Sequence, residues 1–169
     1  FLIWLFHVSG IIGIIYTNTS WFIGQTPINL ILSFSLLLIN TKLTKSTLLL
    51  FIGCFTVGMI AEIVGVRYGF LFGDYTYGSV LGIKLMEVPL LMGFMWCTLV
   101  FITGSIAKFF TDSFWIKCFV GVGLMLTLDL VMEPIAPVLD FWTFAGGVAS
   151  FHNYVAVSYT HLTLPTSYA

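Results

Sequence analysis

Charged side chains are scarce in this chain. Asp, Glu, Lys and Arg together make up only 8% of its 169 residues, and the formal net charge is −1. A chain with so little charge has no basic surface to attract nucleic acid, so we expect no nucleic-acid partner. With 59% hydrophobic and 17% aromatic residues, the sequence is instead typical of a polytopic membrane protein.

Recognisable metal and cofactor motifs are missing as well. Cys54, Cys97 and Cys118 share no metal-ligand or redox spacing, and a cysteine within an apolar run usually behaves as a small hydrophobe. His7 and His152 have no second ligand at metal-binding spacing. No nucleophile elbow, phosphate-binding glycine loop or zinc signature occurs in the sequence. With these motifs missing, the sequence favours acid catalysis by carboxyl groups on an apolar substrate.

Long apolar runs fill most of the sequence. A helix needs about 20 residues to cross a bilayer, and six runs approach or reach that length. We therefore predict an all-α transmembrane bundle that forms one domain over residues 1–156. The predicted spans cover residues 1–16, 27–41, 47–66, 88–107, 114–132 and 141–156.

Both ends of the chain are expected to be incomplete. The sequence does not begin with Met, and from Val157 the string VSYTHLTLPTSYA breaks the preceding composition. This string resembles a translated sequencing adapter. We predict that residues 157–169 are a non-native tail, and we assign no function to Tyr159 or His161.

Basic residues predict the orientation of the spans. Lys42 and Lys45 follow the second span, and Lys108 and Lys117 follow the fourth. Because cytoplasmic loops carry the excess of Lys and Arg, we expect these two loops and the N-terminus in the cytoplasm. The loops after the third and fifth spans then lie at the opposite, outer level.

Three acidic residues lie within or at the ends of these apolar spans: Glu62, Asp129 and Glu133. A carboxylate in lipid is costly and is a functional-site hypothesis by default. Glu62 shares one helical face with Gly58 and Gly65, so we expect it to face a neighbouring helix. The alternative is that Glu62 is only a structural hydrogen-bond acceptor paired with Arg67.

Asp129 and Glu133 are four residues apart, which places both carboxylates on one helical face. Low dielectric, the neighbouring like charge and the negative end of the helix dipole all disfavour ionisation there. We expect at least one of the two to hold a proton near neutral pH and to be able to act as a general acid. The alternative is that both only bind backbone groups around the break at Pro134.

The loop between the third and fourth spans alternates glycines with aromatic residues. Glycines permit tight turns, and aromatic rings supply flat apolar walls with polar tips. Such a segment would cover a pocket for a long unsaturated hydrocarbon. An ordinary interfacial aromatic belt is the equal alternative.

Two blocks of sequence resemble a known family. The segment AEIVGVRYGFLFGDYTYGSVLGIKLMEVPLLMGFMW and the later segment LDLVMEPIAPVLDFWTFAGG are similar to signatures of the integral-membrane carotenoid biosynthesis family that includes the CruF-type carotenoid 1,2-hydratases. The matching positions of the first block are Glu62, Gly65, Gly69, Phe72, Gly73, Tyr75, Tyr77, Gly82, Val88, Pro89 and Trp96. Those of the second block are Asp129, Glu133, Pro134, Trp142 and Gly147.

The resemblance implies addition of water to the terminal C1–C2 double bond of an acyclic carotenoid end group, lycopene- or γ-carotene-like. Asp129 and Glu133 would donate the proton, and Glu62 would position or deprotonate the water. No cofactor and no metal are required. The implied substrate-binding residues are Tyr68, Phe72, Tyr75, Tyr77, Trp96, Trp142 and Asn153.

The implied setting is the cytoplasmic (inner) membrane of a prokaryote, with membrane lipid, the carotenoid substrate and other carotenoid biosynthesis enzymes as partners. Three other functions stay open: a lycopene cyclase-like isomerase, a non-enzymatic retinal- or carotenoid-binding membrane protein, and a transporter. A retinal Schiff base would require a lysine in mid-membrane, whereas all six Lys and Arg lie at span ends or in loops. A transporter would be expected to show paired broken helices, and the sequence has no obvious pair.

Overall fold

The computed structural model describes residues 1–149 and 151–163. Within these described residues, four helical segments are long and apolar enough to cross a membrane: Thr19–Asn40, Lys45–Tyr68, Leu90–Phe110 and Phe114–Met132. They confirm the predicted all-α membrane bundle. The helices are α1 Leu2–Tyr16, α2 Thr19–Gly24, α3 Thr26–Asn40, α4 Lys45–Tyr68, α5 Leu90–Phe110, α6 Phe114–Met132 and α7 Phe151–Thr163.

Helix α4 carries Glu62 and has clear signals at both ends. Thr44 precedes it, and the Thr44 hydroxyl accepts a hydrogen bond from the backbone N–H of Thr47, which satisfies one of the free donors of the first turn. Gly69 follows it with φ +68°, a left-handed conformation that suits glycine and ends the helix. The chain therefore leaves the membrane-spanning helix soon after Glu62.

Helices α4 and α5 pack closely at the centre of the bundle. A Cβ atom added at Gly58 would lie 2.5 Å from the Trp96 ring, and one added at Gly93 would lie 2.5 Å from the Phe55 ring. These small residues let large rings of the opposite helix approach the backbone. The predicted glycine face of α4 thus contacts protein, and it carries Glu62 into the interior.

Short strands join the two loops at one end of the bundle. Strand β1 (Tyr75–Tyr77) follows α4, and strand β4 (Trp142–Phe144) follows α6. The two strands pair antiparallel, with Tyr75 opposite Phe144 and Tyr77 opposite Trp142. This pairing confirms that the loops after the third and fifth predicted spans lie at the same end. The remaining strands, β2 (Lys84–Leu85) and β3 (Val88–Pro89), form a separate hairpin.

The predicted helical span over residues 141–156 is wrong in its first part. Residues 142–144 form strand β4, and helix α7 begins only at Phe151. The backbone of β4 bonds to β1, and Gly147 adopts a left-handed conformation at φ +75°, so this segment cannot continue as a helix. Helix α7 runs through residue 157 to Thr163. The non-native tail stays a prediction, and its residues 164–169 lie outside the described part of the chain.

Candidate functional site

Glu62 lies at the centre of a buried hydrogen-bond network. Its Oε2 accepts hydrogen bonds from the Tyr75 hydroxyl at 2.6 Å and the Tyr77 hydroxyl at 2.7 Å, and its Oε1 accepts one from Trp96 Nε1 at 3.0 Å. Only 6% of the Glu62 surface is exposed. The structure therefore brings four of the predicted site residues into direct contact. Arg67, the alternative partner of Glu62, is exposed.

The two tyrosines reach Glu62 because of their spacing on strand β1. Residues two apart on a strand point to the same face, so Tyr75 and Tyr77 are buried while Thr76 between them is exposed. Their rings meet edge to face at 5.5 Å. Burial raises the pKa of both phenols far above the ordinary value, and the Glu62 charge raises it further. Both hydroxyls therefore stay protonated and serve as donors to the carboxylate.

Other predicted aromatic residues surround this network, with one exception. The Phe72 ring is buried and meets Tyr75 at 6.1 Å, and the half-buried Trp142 ring meets Tyr77 at 6.5 Å. Tyr68 instead is 66% exposed and lies beside Phe70. The structure thus places Tyr68 outside the aromatic wall.

Asp129 and Glu133 are both held by residues in and just before helix α7. Asn153 Nδ2 donates a hydrogen bond to Asp129 Oδ2 at 2.8 Å. Glu133 Oε1 accepts a hydrogen bond from the backbone N–H of Ala149 at 2.6 Å, and its Oε2 accepts one from the Tyr154 hydroxyl. The predicted substrate contact Asn153 is thus a partner of an acidic side chain. Glu133 does bind a backbone group, as the alternative prediction expected. That group is the N–H of Ala149, which lies beyond strand β4 and not around Pro134.

The acidic residues of α4 and α6 form one electrostatic group. Asp129 lies close enough to Glu62 and to Glu133 for both charges to interact with it. In the described part of the chain, however, no three His, Cys, Asp or Glu side chains are grouped so as to hold a metal ion. The arrangement joins three carboxylates, two tyrosine hydroxyls and aromatic rings at one end of a membrane bundle.

Several residues that position this site were missed by the sequence analysis. Asp140 accepts hydrogen bonds from the Ser79 backbone N–H and hydroxyl, each at 2.8 Å, and thereby ties the two loops together. Lys84 Nζ donates to the carbonyl oxygen of Tyr77 at 2.7 Å. Tyr154 was not predicted because the predicted span over residues 141–156 did not show where α7 begins or which of its side chains face α6. Its position directly after Asn153 was the one available signal.

An apolar cleft of about 220 Å³ lies between α3, α4 and α5. Phe55 of this cleft and Glu62 are seven residues apart, so they share a helical face about 10 Å apart. The Trp96 ring packs against Gly58, which lies between these two positions on α4. Its lining residues are Phe34, Phe51, Ile52, Phe55, Thr56, Phe94 and Cys97.

The fold and the site together define an integral membrane protein with acidic residues buried at one end of a helical bundle. Residues 23–158 match the family described as carotenoid biosynthesis protein, and the chain belongs to this family. Searches of curated proteins and of solved structures gave no match. Membership confirms the family resemblance and assigns the chain to carotenoid biosynthesis.

Proposed function

We propose that this protein adds water to the terminal C1–C2 double bond of an acyclic carotenoid end group. The observation that carries the proposal is the grouping of Glu62, Asp129 and Glu133 beside aromatic rings in an apolar bundle. Acid-catalysed hydration of an alkene needs a proton donor, a site for water and an environment that tolerates a cation. These residues are able to supply all three.

The reaction begins with proton transfer from the Asp129 and Glu133 pair to C2. The electrons of the double bond form the new C–H bond, and the positive charge settles on the tertiary carbon C1. Water then adds to C1, and its extra proton passes to Glu62 or to the newly ionised carboxylate. The sum of these steps is one added water, with no oxidation or reduction.

Aromatic rings would stabilise the intermediate cation. A cation over an aromatic face gains about 0.5 to 2 kcal/mol, and the rings of Tyr75, Tyr77 and Trp142 surround the carboxylate network. A negative charge on Glu62 would also stabilise the cation. The apolar cleft between α3, α4 and α5 would be the binding region for part of the polyene.

The proposal is tested by the masses of carotenoids extracted from lycopene-producing bacteria that express the full-length gene. We expect a product heavier than lycopene by one water, or by two if both ends react. Asp129→Asn and Glu62→Gln should abolish it because each removes a proposed catalytic carboxylate. Glu87→Gln makes the same chemical change at an exposed position of the loop that precedes α5 and should retain the product.

Each alternative function gives a different result. A cyclase starts with the same protonation but captures the cation with a neighbouring double bond, so its product has the mass of lycopene. Unchanged lycopene, with the protein present in the membrane fraction, would contradict hydration of this substrate and favour a carotenoid-binding role.

A further inference from the structure

The three carboxylates differ in how many of their oxygens are engaged. Both oxygens of Glu62 accept hydrogen bonds, from three donors in all. Both oxygens of Glu133 are also engaged, by the Ala149 backbone and the Tyr154 hydroxyl. For Asp129, only Oδ2 has a partner among the described residues, namely Asn153. Asp129 Oδ1 is therefore the open carboxylate oxygen of the group.

Asn153 determines which oxygen of Asp129 can carry a proton. An amide nitrogen only donates hydrogen bonds, so the Asp129 oxygen that faces Asn153 Nδ2 must act as the acceptor. When Asp129 is neutral, its proton then resides on Oδ1. Asn153 is only 8% exposed, so packing around α7 holds its amide in place.

We propose that Asp129 Oδ1 delivers the proton to the substrate and that Asn153 is the positioning residue that makes this possible. The inference rests on the hydration reaction proposed above. In the step, the O–H bond of Asp129 breaks and a C–H bond forms at C2 with the electrons of the double bond. After water has bonded to C1, its proton returns to the Asp129 carboxylate and restores the acid.

Glu133 has a different part in this scheme. Its two oxygens hold the Ala149 backbone and Tyr154, which fixes the start of α7 and with it Asn153. Glu133 thereby supports the geometry of Asp129 and does not itself present an open oxygen to the substrate. Glu62 is bonded by three donors, which hold its carboxylate in place.

The test compares four variants of the full-length protein in membranes: Asp129→Asn, Glu133→Gln, Asn153→Leu and Asn153→Gln. Formation of the water adduct is measured by mass spectrometry as a function of pH, at equal amounts of membrane-inserted protein. Removal of a general acid lowers the rate by about 10²- to 10⁴-fold, which we expect for Asp129→Asn. Glu133→Gln should lower it by about tenfold or less, because the acid remains.

The Asn153 variants separate a positioning role from a merely structural one. Asn153→Leu keeps the approximate size but removes the donor, so the ionised form of Asp129 loses a stabilising partner. We expect a rate about 10- to 100-fold lower and an alkaline limb of the pH profile that moves upward. Asn153→Gln restores an amide donor and should move the alkaline limb back toward its original position.

The outcomes distinguish this inference from the proposed function. A wild-type protein that gives no water adduct overturns the hydration reaction itself. A wild-type protein that hydrates, while Glu133→Gln is inactive and Asp129→Asn is active, overturns only the assignment of the proton donor. An unmoved pH profile in Asn153→Leu overturns the positioning role of Asn153.

Discussion

Glu62 and the Asp129 and Glu133 pair lie at the same end of the bundle, but different parts of the chain hold them. Glu62 is buried and is bonded by aromatic donors from strand β1 and helix α5. The pair is half-buried and depends on residues in and just before α7. The difference separates a buried carboxylate with three donors from two half-buried carboxylates, of which Glu133 has two donors and Asp129 has one.

Glu62→Gln is expected to have the largest effect on stability. The amide replaces one acceptor by a donor that faces Tyr or Trp donors, and an unsatisfied buried donor costs about 1 to 3 kcal/mol. We expect the free energy of unfolding in mixed detergent micelles to fall by about 3 kcal/mol. Glu133→Gln should lower the free energy of unfolding by less than about 1.5 kcal/mol, because Glu133 is half-buried and its partners can form hydrogen bonds with water instead.

Glu87→Gln is the control for this comparison. Glu87 is exposed, so the same chemical change should leave the free energy of unfolding unaltered. Equal losses from Glu62→Gln and Glu133→Gln would contradict the distinction between the two carboxylate environments.

Gly58→Ala is expected to have an intermediate effect by displacing one donor of Glu62. The added Cβ would lie 2.5 Å from the Trp96 ring, which must then move away from Oε1. Such overpacking costs about 1 to 3 kcal/mol, measured again by unfolding in micelles.

Gly53→Ala provides the matched control on the same helix. A Cβ at Gly53 meets nothing within 4 Å, so alanine should stabilise α4 slightly through its higher helix propensity. If Gly58→Ala and Gly53→Ala change the free energy of unfolding by the same amount, the close contact between Gly58 and Trp96 does not support the Glu62 network.

Asp140→Asn is expected to have the smallest effect. Hydrogen bonds from the Ser79 hydroxyl and backbone lower the pKa of Asp140 below its ordinary value. A carboxylate whose pKa is lower in the folded state stabilises the protein above its unfolded pKa of about 3.9 and loses this contribution as pH falls through the folded pKa. Asn tolerates the φ of +55° at this position, so the backbone should remain unchanged.

For this exposed side chain, we expect Asp140→Asn to lower the free energy of unfolding by less than about 1 kcal/mol at pH 7. The difference between wild type and variant should vanish below the folded pKa. Unfolding curves at a series of pH values measure it. A difference that persists at the lowest pH would show that the carboxylate charge is not what ties the two loops.

The sequence predicts those parts of the site that follow from local periodicity. The glycine face of α4 predicts that Glu62 points inward. The segment with Tyr75 and Tyr77 was predicted only as a loop, and their shared strand face is a finding of the structure. Strand β4 was not predicted because its three residues pair with a strand far away in sequence and carry too little local signal. The same lack of local signal concealed Tyr154, whose partner lies on another helix.

The pairing of β1 with β4 has a consequence for how the protein is made. The two strands are separated by about 65 residues of chain, which a ribosome adds in several seconds at about 5 to 20 residues per second. Tyr75, Tyr77 and Trp96 are all synthesised before β4 and can bond Glu62 during this interval. The nascent chain can therefore shield the Glu62 carboxylate before helix α7 is synthesised.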